Sequence, residues 1–119
     1  MTGAERIAEF AAHTLKGSVP APVLDAAHLH FLDALGVGIA SSTVGDNAGW
    51  AAAASAGSAS LLLGGTAEPG AAAMINGALI HALEYDDTHI ASVVHGSAVS
   101  APLALAVTQM SGASGRDLI

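Results

Sequence analysis

The chain has 119 residues, 52% of them hydrophobic but only 3% aromatic, with 28 alanines and 14 glycines, and only 11% are charged. That length holds one domain with one core, and the apolar, charge-poor composition excludes a disordered chain. Ten acidic residues against three basic ones give a formal charge of −7, which opposes binding to nucleic acid or anionic lipid. Cysteine is absent, which removes disulfides, thiolate metal sites and a thiol nucleophile, and fits a cytoplasmic location.

No internal repeat is present. The first segment, about Ala4 to Lys16, sets Ile7, Phe10, Ala11 and Leu15 at helical spacing. Glu5 and Glu9 come early and Lys16 late, as the helix dipole prefers, and Gly17 follows as a stop. Ser18 to Pro22 connects to a second helix whose inward face is expected to be Val23, Ala27, Phe31, Ala34, Leu35 and Gly38. Thr43 to Ser60 is ambiguous: Trp50 and the alanines after it suggest a short helix, and glycines interrupt it. Leu61 to Leu63 reads as a short extended piece ending in a Gly64-Gly65 turn.

A third helix is predicted from Ala71 to Tyr85, with Met74, Ala78 and Ala82 or His81 on one face and Pro69 at its start. Asn76-Gly77 is unexpected inside a helix, since both residues are poor helix formers. Either Gly77 allows close packing while Asn76 bonds a neighbouring loop, or the pair is a tolerated defect. Asp86 to Gly96 is expected as a loop, followed by a helix from Ser100 or Ala101 with Leu103, Ala106, Val107 and Met110 facing inward and Gly112 as its end. Ser114 is placed to cap one more helix. The fold class expected is all-α, a helical bundle-like fragment.

Mean hydropathy is +0.56. The uncharged stretch from Thr88 to Gly115 nevertheless holds His89, His95, Pro102 and Gln109 and no purely apolar run of membrane-spanning length. The start of the chain, with Glu5, Arg6 and Glu9, lacks the form of a signal peptide. No membrane role is expected.

Glu84, Tyr85, Asp86, Asp87, Thr88, His89 and His95 fall within one short stretch of an otherwise bland chain. Carboxylates, a hydroxyl and imidazoles are the parts that proton transfer needs, and histidine changes charge nearest neutrality. The alternative is a solvated loop that merely ends one helix. A metal reading through Asp86, Asp87, His89 and His95 matches no strong ligand spacing, so no metal is expected. Glycine-rich phosphate loops are also missing from the sequence.

The stretch from Ile75 to His89, with Asn-Gly, His-Ala, an acid, an aromatic and Asp-Asp-Thr-His, resembles the signature of the MmgE/PrpD family. His95-Gly96-Ser97-Ala98, Pro102 to Ala106, Gly112 to Leu118 and Leu32 to Val37 are similar to the family as well. The family includes 2-methylcitrate dehydratase, cis-aconitate decarboxylase and some epimerases of related acids. The resemblance implies that residues 1–119 are the N-terminal portion of a longer helical domain, truncated here and without the family's lid domain. It also implies cofactor-independent lyase chemistry on a small di- or tricarboxylic acid. Carried over by motif position, Glu84, Thr88 and His95 are the catalytic candidates, with Asp86, Asp87 and His89 beside them as substrate-binding groups. The family usually has Asp at the position of Glu84 and Pro at that of Gly96.

A polycarboxylate needs cationic partners, yet only Arg6, Lys16 and Arg116 exist, all distant in sequence from the cluster. The chain is therefore expected to carry half an active site and to be inactive alone. The alternatives are an epimerase of a related acid and a non-catalytic helical assembly module. A homo-oligomer is expected, because small apolar helix faces favour self-association.

Overall fold

The computed structural model describes residues 1–14, 16–45 and 47–119, with Ala48 described by its backbone only. Among these, six helices and a two-stranded hairpin follow in the order α1 (Gly3–Thr14), α2 (Ala21–Val44), α3 (Ala48–Ala53), β1 (Ala59–Ser60), β2 (Thr66–Ala67), α4 (Pro69–His81), α5 (Gly96–Ser111) and α6 (Gly115–Leu118). The architecture is mainly α, as expected. The strands pair antiparallel, Ala59 with Ala67 and Ser60 with Thr66. Leu61 to Gly65 form the turn between them, so the extended piece lies just before the three leucines rather than on them.

Helix α4 is the centre of the molecule. Pro69 suits its first turn, and the Glu68 side chain caps it by accepting from Ala71 N–H at 3.0 Å. Ile75 and Leu79 pack with Ala59, Leu61, Ala67 and Ala72 beneath the hairpin. On the adjoining side Ile80 packs with Ala34 of α2 and Ala101 of α5. Asn76, almost fully buried, donates from Nδ2 to the Ser60 carbonyl at 2.9 Å and accepts from Leu62 N–H at 2.8 Å. Gln109 of α5 grips Ser60 from the other side, accepting from its N–H at 2.8 Å and donating to its hydroxyl at 2.9 Å. The hairpin, too short to stand alone, is thus pinned by two amide side chains.

Gly77 permits the approach of α5. A Cβ there would stand 2.8 Å from the Ala98 carbonyl oxygen and 3.5 Å from Pro102 Cγ. Pro102 lacks an N–H, so it leaves the Ala98 carbonyl without its helical partner, and the bare glycine backbone packs against that freed oxygen. The odd Asn76-Gly77 pair therefore combines close packing with a loop contact.

Several expected faces are different. Met74 is 57% exposed, and the buried residues of α4 are Ala72, Ile75, Asn76, Leu79 and Ile80. Helix α5 starts at Gly96, not near Ser100. Its buried face is Ser97, Ala101, Pro102 and Ala106, while Leu103, Val107 and Met110 are exposed. On α2 the expected face holds, with Ala34 and Gly38 buried and Ala27, Phe31 and Leu35 half-buried; only Val23 of it is exposed, and Ser41 extends it. The physical reason is common to α4 and α5: apolar residues surround these helices, and the smallest residues, not the largest, set where backbones meet. The expected α1 face is open as well, with Ile7 and Phe10 exposed, and Leu15 lies outside the described residues.

Helix α2 is long and apolar enough to cross a membrane by length and composition. Here it packs on α4 and α5 and carries Asp25, His28, His30 and Asp33. The accessible surface is 7577 Å², against about 5,800 Å² for a compact protein of this mass. Large apolar side chains are left uncovered on α1, α2, α5 and the turn after α4.

Candidate active site

The segment after α4 turns sharply. Glu84 has φ +55°, a left-handed conformation uncommon outside glycine, and its N–H bonds the His81 carbonyl at 3.0 Å. The chain then runs through Asp86 and Asp87 into a closed turn. His89 N–H donates to the Val94 carbonyl at 2.9 Å, and Val93 N–H donates to the His89 carbonyl at 2.8 Å. Val93 sits at φ +53°, where a β-branched residue is an outlier that costs about 1–2 kcal/mol. This strained turn brings His95 back beside Asp86.

Asp86 is the hub. Its carboxylate is fully buried, and Oδ2 lies 3.2 Å from Nδ1 of His81 and 3.2 Å from Nδ1 of His95. The two imidazoles meet edge to face with centroids 4.7 Å apart. Thr88 Oγ1 is 3.3 Å from His95 Nδ1 and 3.4 Å from the Asp86 carbonyl. Glu84 Oε1 lies 3.7 Å from Nε2 of His81. The site is partly open, since a quarter of the His95 side chain and nearly half of that of His81 remain exposed.

The remaining candidates have other positions. Asp87 Oδ1 accepts from Ser97 N–H at 2.9 Å, which places a negative charge at the positive end of α5. Its other oxygen is 3.7 Å from His30 of α2. His89 bonds Ser92 Oγ at 2.7 Å within its own turn and has no hydrogen bond to the His81–Asp86–His95 trio. Asp86, expected as a substrate contact, is sealed from solvent and turned onto two imidazoles instead. Among the described residues no lysine or arginine pairs with Glu84, Asp86 or Asp87; their ionic partners are histidines.

His81 joins this group although its sequence reading assigns it no role beyond a helix face and the His-Ala pair of the family signature. Its spacing carried a signal: it ends α4 three residues before Glu84, and such a residue can reach the acid that follows.

His81, Asp86 and His95 are also the group best placed for a metal, with donor atoms spanning up to 4.8 Å. An ion held at about 2.1 Å by each donor needs separations no greater than about 4.2 Å. The present spacing, with one carboxylate oxygen 3.2 Å from each nitrogen, is that of hydrogen bonds.

Fold and site together define a mainly α domain that presents a buried carboxylate, two imidazoles and a hydroxyl at the junction of two packed helices. The MmgE/PrpD N-terminal domain matches residues 5–119, and the chain belongs to that family. Family membership supports an enzyme-like function at the level of the family. No curated protein and no solved structure matches the chain.

Proposed function

We propose that this chain supplies the helical half of a lyase active site that acts, without a cofactor, on a small di- or tricarboxylic acid. The observation that carries the reading is the meeting of His95 with Thr88 at 3.3 Å and with Asp86 at 3.2 Å in a chain of this family. His95 acts as general acid or base at the carbon beside a carboxylate or at the leaving group. Thr88 hydrogen-bonds a substrate oxygen, and Glu84, exposed beside His81, orients or transfers a proton. The cations that would neutralise the substrate's carboxylates come from outside this cluster, because the ionic partners found here are imidazoles. The uncovered apolar side chains of α2 and α5 support a homo-oligomer, and the lack of cysteine supports a cytoplasmic setting.

The test is a complete protein carrying this domain, offered a panel of hydroxy- and unsaturated tricarboxylic acids with products followed by NMR. Dehydration or decarboxylation of one of them is expected, falling at least a hundredfold on His95→Ala. The isolated chain is expected to show no turnover. Full turnover after His95→Ala, or full turnover by the isolated chain, overturns the reading.

A further inference from the structure

We propose that Asp86 is a positioning residue that sets the proton on Nδ1 of both His81 and His95, so that His95 presents Nε2 as its reactive nitrogen. The argument begins with burial. The Asp86 side chain has no exposed surface, and no lysine or arginine reaches it among the described residues. A buried carboxylate requires donors, and an ionised one can only accept. The side-chain donors within reach are the two imidazole Nδ1 atoms, each 3.2 Å from the same oxygen. With Asp86 ionised, both Nδ1 atoms carry hydrogen, whatever the charge of the rings. This is the tautomer that isolated histidine favours less, so it is imposed by the partner on the other side of the bond.

A further contact is consistent with this. Thr88 Oγ1 stands 3.3 Å from His95 Nδ1, a nitrogen whose hydrogen is already present. The hydroxyl therefore accepts there and keeps its own hydrogen for the Asp86 carbonyl at 3.4 Å or for a ligand. His81 Nε2 lies 3.7 Å from Glu84, an ion pair only when that ring is protonated on both nitrogens. One buried acid thus orients the imidazole that meets substrate and holds a second imidazole beside it. The tautomer assignment stands by itself; its catalytic consequence rests on the lyase reading above.

The experiment is a long-range ¹H–¹⁵N correlation spectrum of the ¹⁵N-labelled chain, recorded at a pH where the imidazoles are neutral. His81 and His95 are expected as Nδ1–H tautomers, with His89 as the internal comparison. Finding His95 as Nε2–H overturns the proposal. In Asp86→Ala, His95 is expected to revert to Nε2–H, and an unchanged His95 spectrum in a folded variant also overturns it. Should that variant fail to fold, the wild-type spectrum decides alone. In the complete protein, Asp86→Ala is expected to lower kcat roughly a hundredfold or more with KM within about threefold. Correct tautomers with no lyase turnover in the wild-type protein would refute the functional reading and leave the positioning role standing.

Discussion

Helices α1 and α4 are nearly equal in length and opposite in fate. Helix α1 sorts its apolar residues onto one side in the manner of a surface helix, yet buries none of them. Helix α4 is apolar nearly all round, and it holds the whole core together. Amphipathic pattern alone therefore does not locate the core of this chain. The decisive features of α4 are the residues that look wrong for a helix: Asn76, which ties down the hairpin, and Gly77, which admits α5. Helix α1 has no such residue, and its fixed points are local. Thr2 and Glu5 cap it reciprocally, through Glu5 N–H to Thr2 Oγ1 at 3.2 Å and Thr2 N–H to Glu5 Oε2 at 2.6 Å.

The contrast can be broken most directly by deleting large side chains on each helix. Ile80 is fully buried against Ala34 and Ala101, so Ile80→Ala is expected to destabilise by about 2–5 kcal/mol through lost burial and a residual cavity. Phe10→Ala removes a larger side chain that is 72% exposed and is expected to change stability by no more than about 0.5 kcal/mol. Urea unfolding of the two variants checks both. Similar losses would mean that α1 is packed in solution.

A polar substitution sharpens the comparison. Asn76→Ala leaves the Leu62 N–H and the Ser60 carbonyl without their side-chain partner. The expected loss is about 1–3 kcal/mol, since each group stays desolvated when its partner goes. Hydrogen exchange should show the Leu62 amide opening before the amides of α4. If it stays protected, another acceptor replaces Asn76 and the amide clamp is not what holds the hairpin.

Much of the site was legible from sequence because its residues are close in the chain. The segment from Glu84 to His95 needs only one turn to close, which brings Thr88 and His95 beside Asp86, while Asp87 turns to the start of α5. The helices themselves were legible through Pro69, Gly112 and Ser114, which mark ends by local chemistry. What stayed hidden depends on how turns and helices meet in space. Nothing local to Asp86 says that its carboxylate points inward, because the groups that enclose it arrive from the end of α4 and the start of α5. The α4 and α5 faces were misread for a related reason. With alanine on every side, the inward direction is chosen by Gly77 and by the carbonyl that Pro102 frees, and neither appears in a hydrophobic period.

The smallest expected effect lies at the far end of the chain, where α6 is held by the same local device as α1. Ser114 N–H and Ser114 Oγ both donate to Asp117 Oδ2, at 2.9 Å and 2.7 Å. The Ser114 hydroxyl first, then the Ser114 N–H, hold the Asp117 carboxyl below its ordinary value; slight desolvation opposes this and Arg116 adds to it. A carboxyl lowered in the folded state contributes stability that is complete above its ordinary value of about 3.9 and is lost as pH falls through the lowered one. The cap should therefore be intact at pH 6 and released only as the pH falls below the ordinary carboxylate range. Asp117 is wholly exposed, so the release should be confined to α6, leaving the overall unfolding midpoint unchanged by this group. An NMR titration following the Ser114 amide and the Asp117 carboxyl tests it. If Asp117 titrates at its ordinary value and the Ser114 amide does not move with it, the two ends of the chain are not held by the same device.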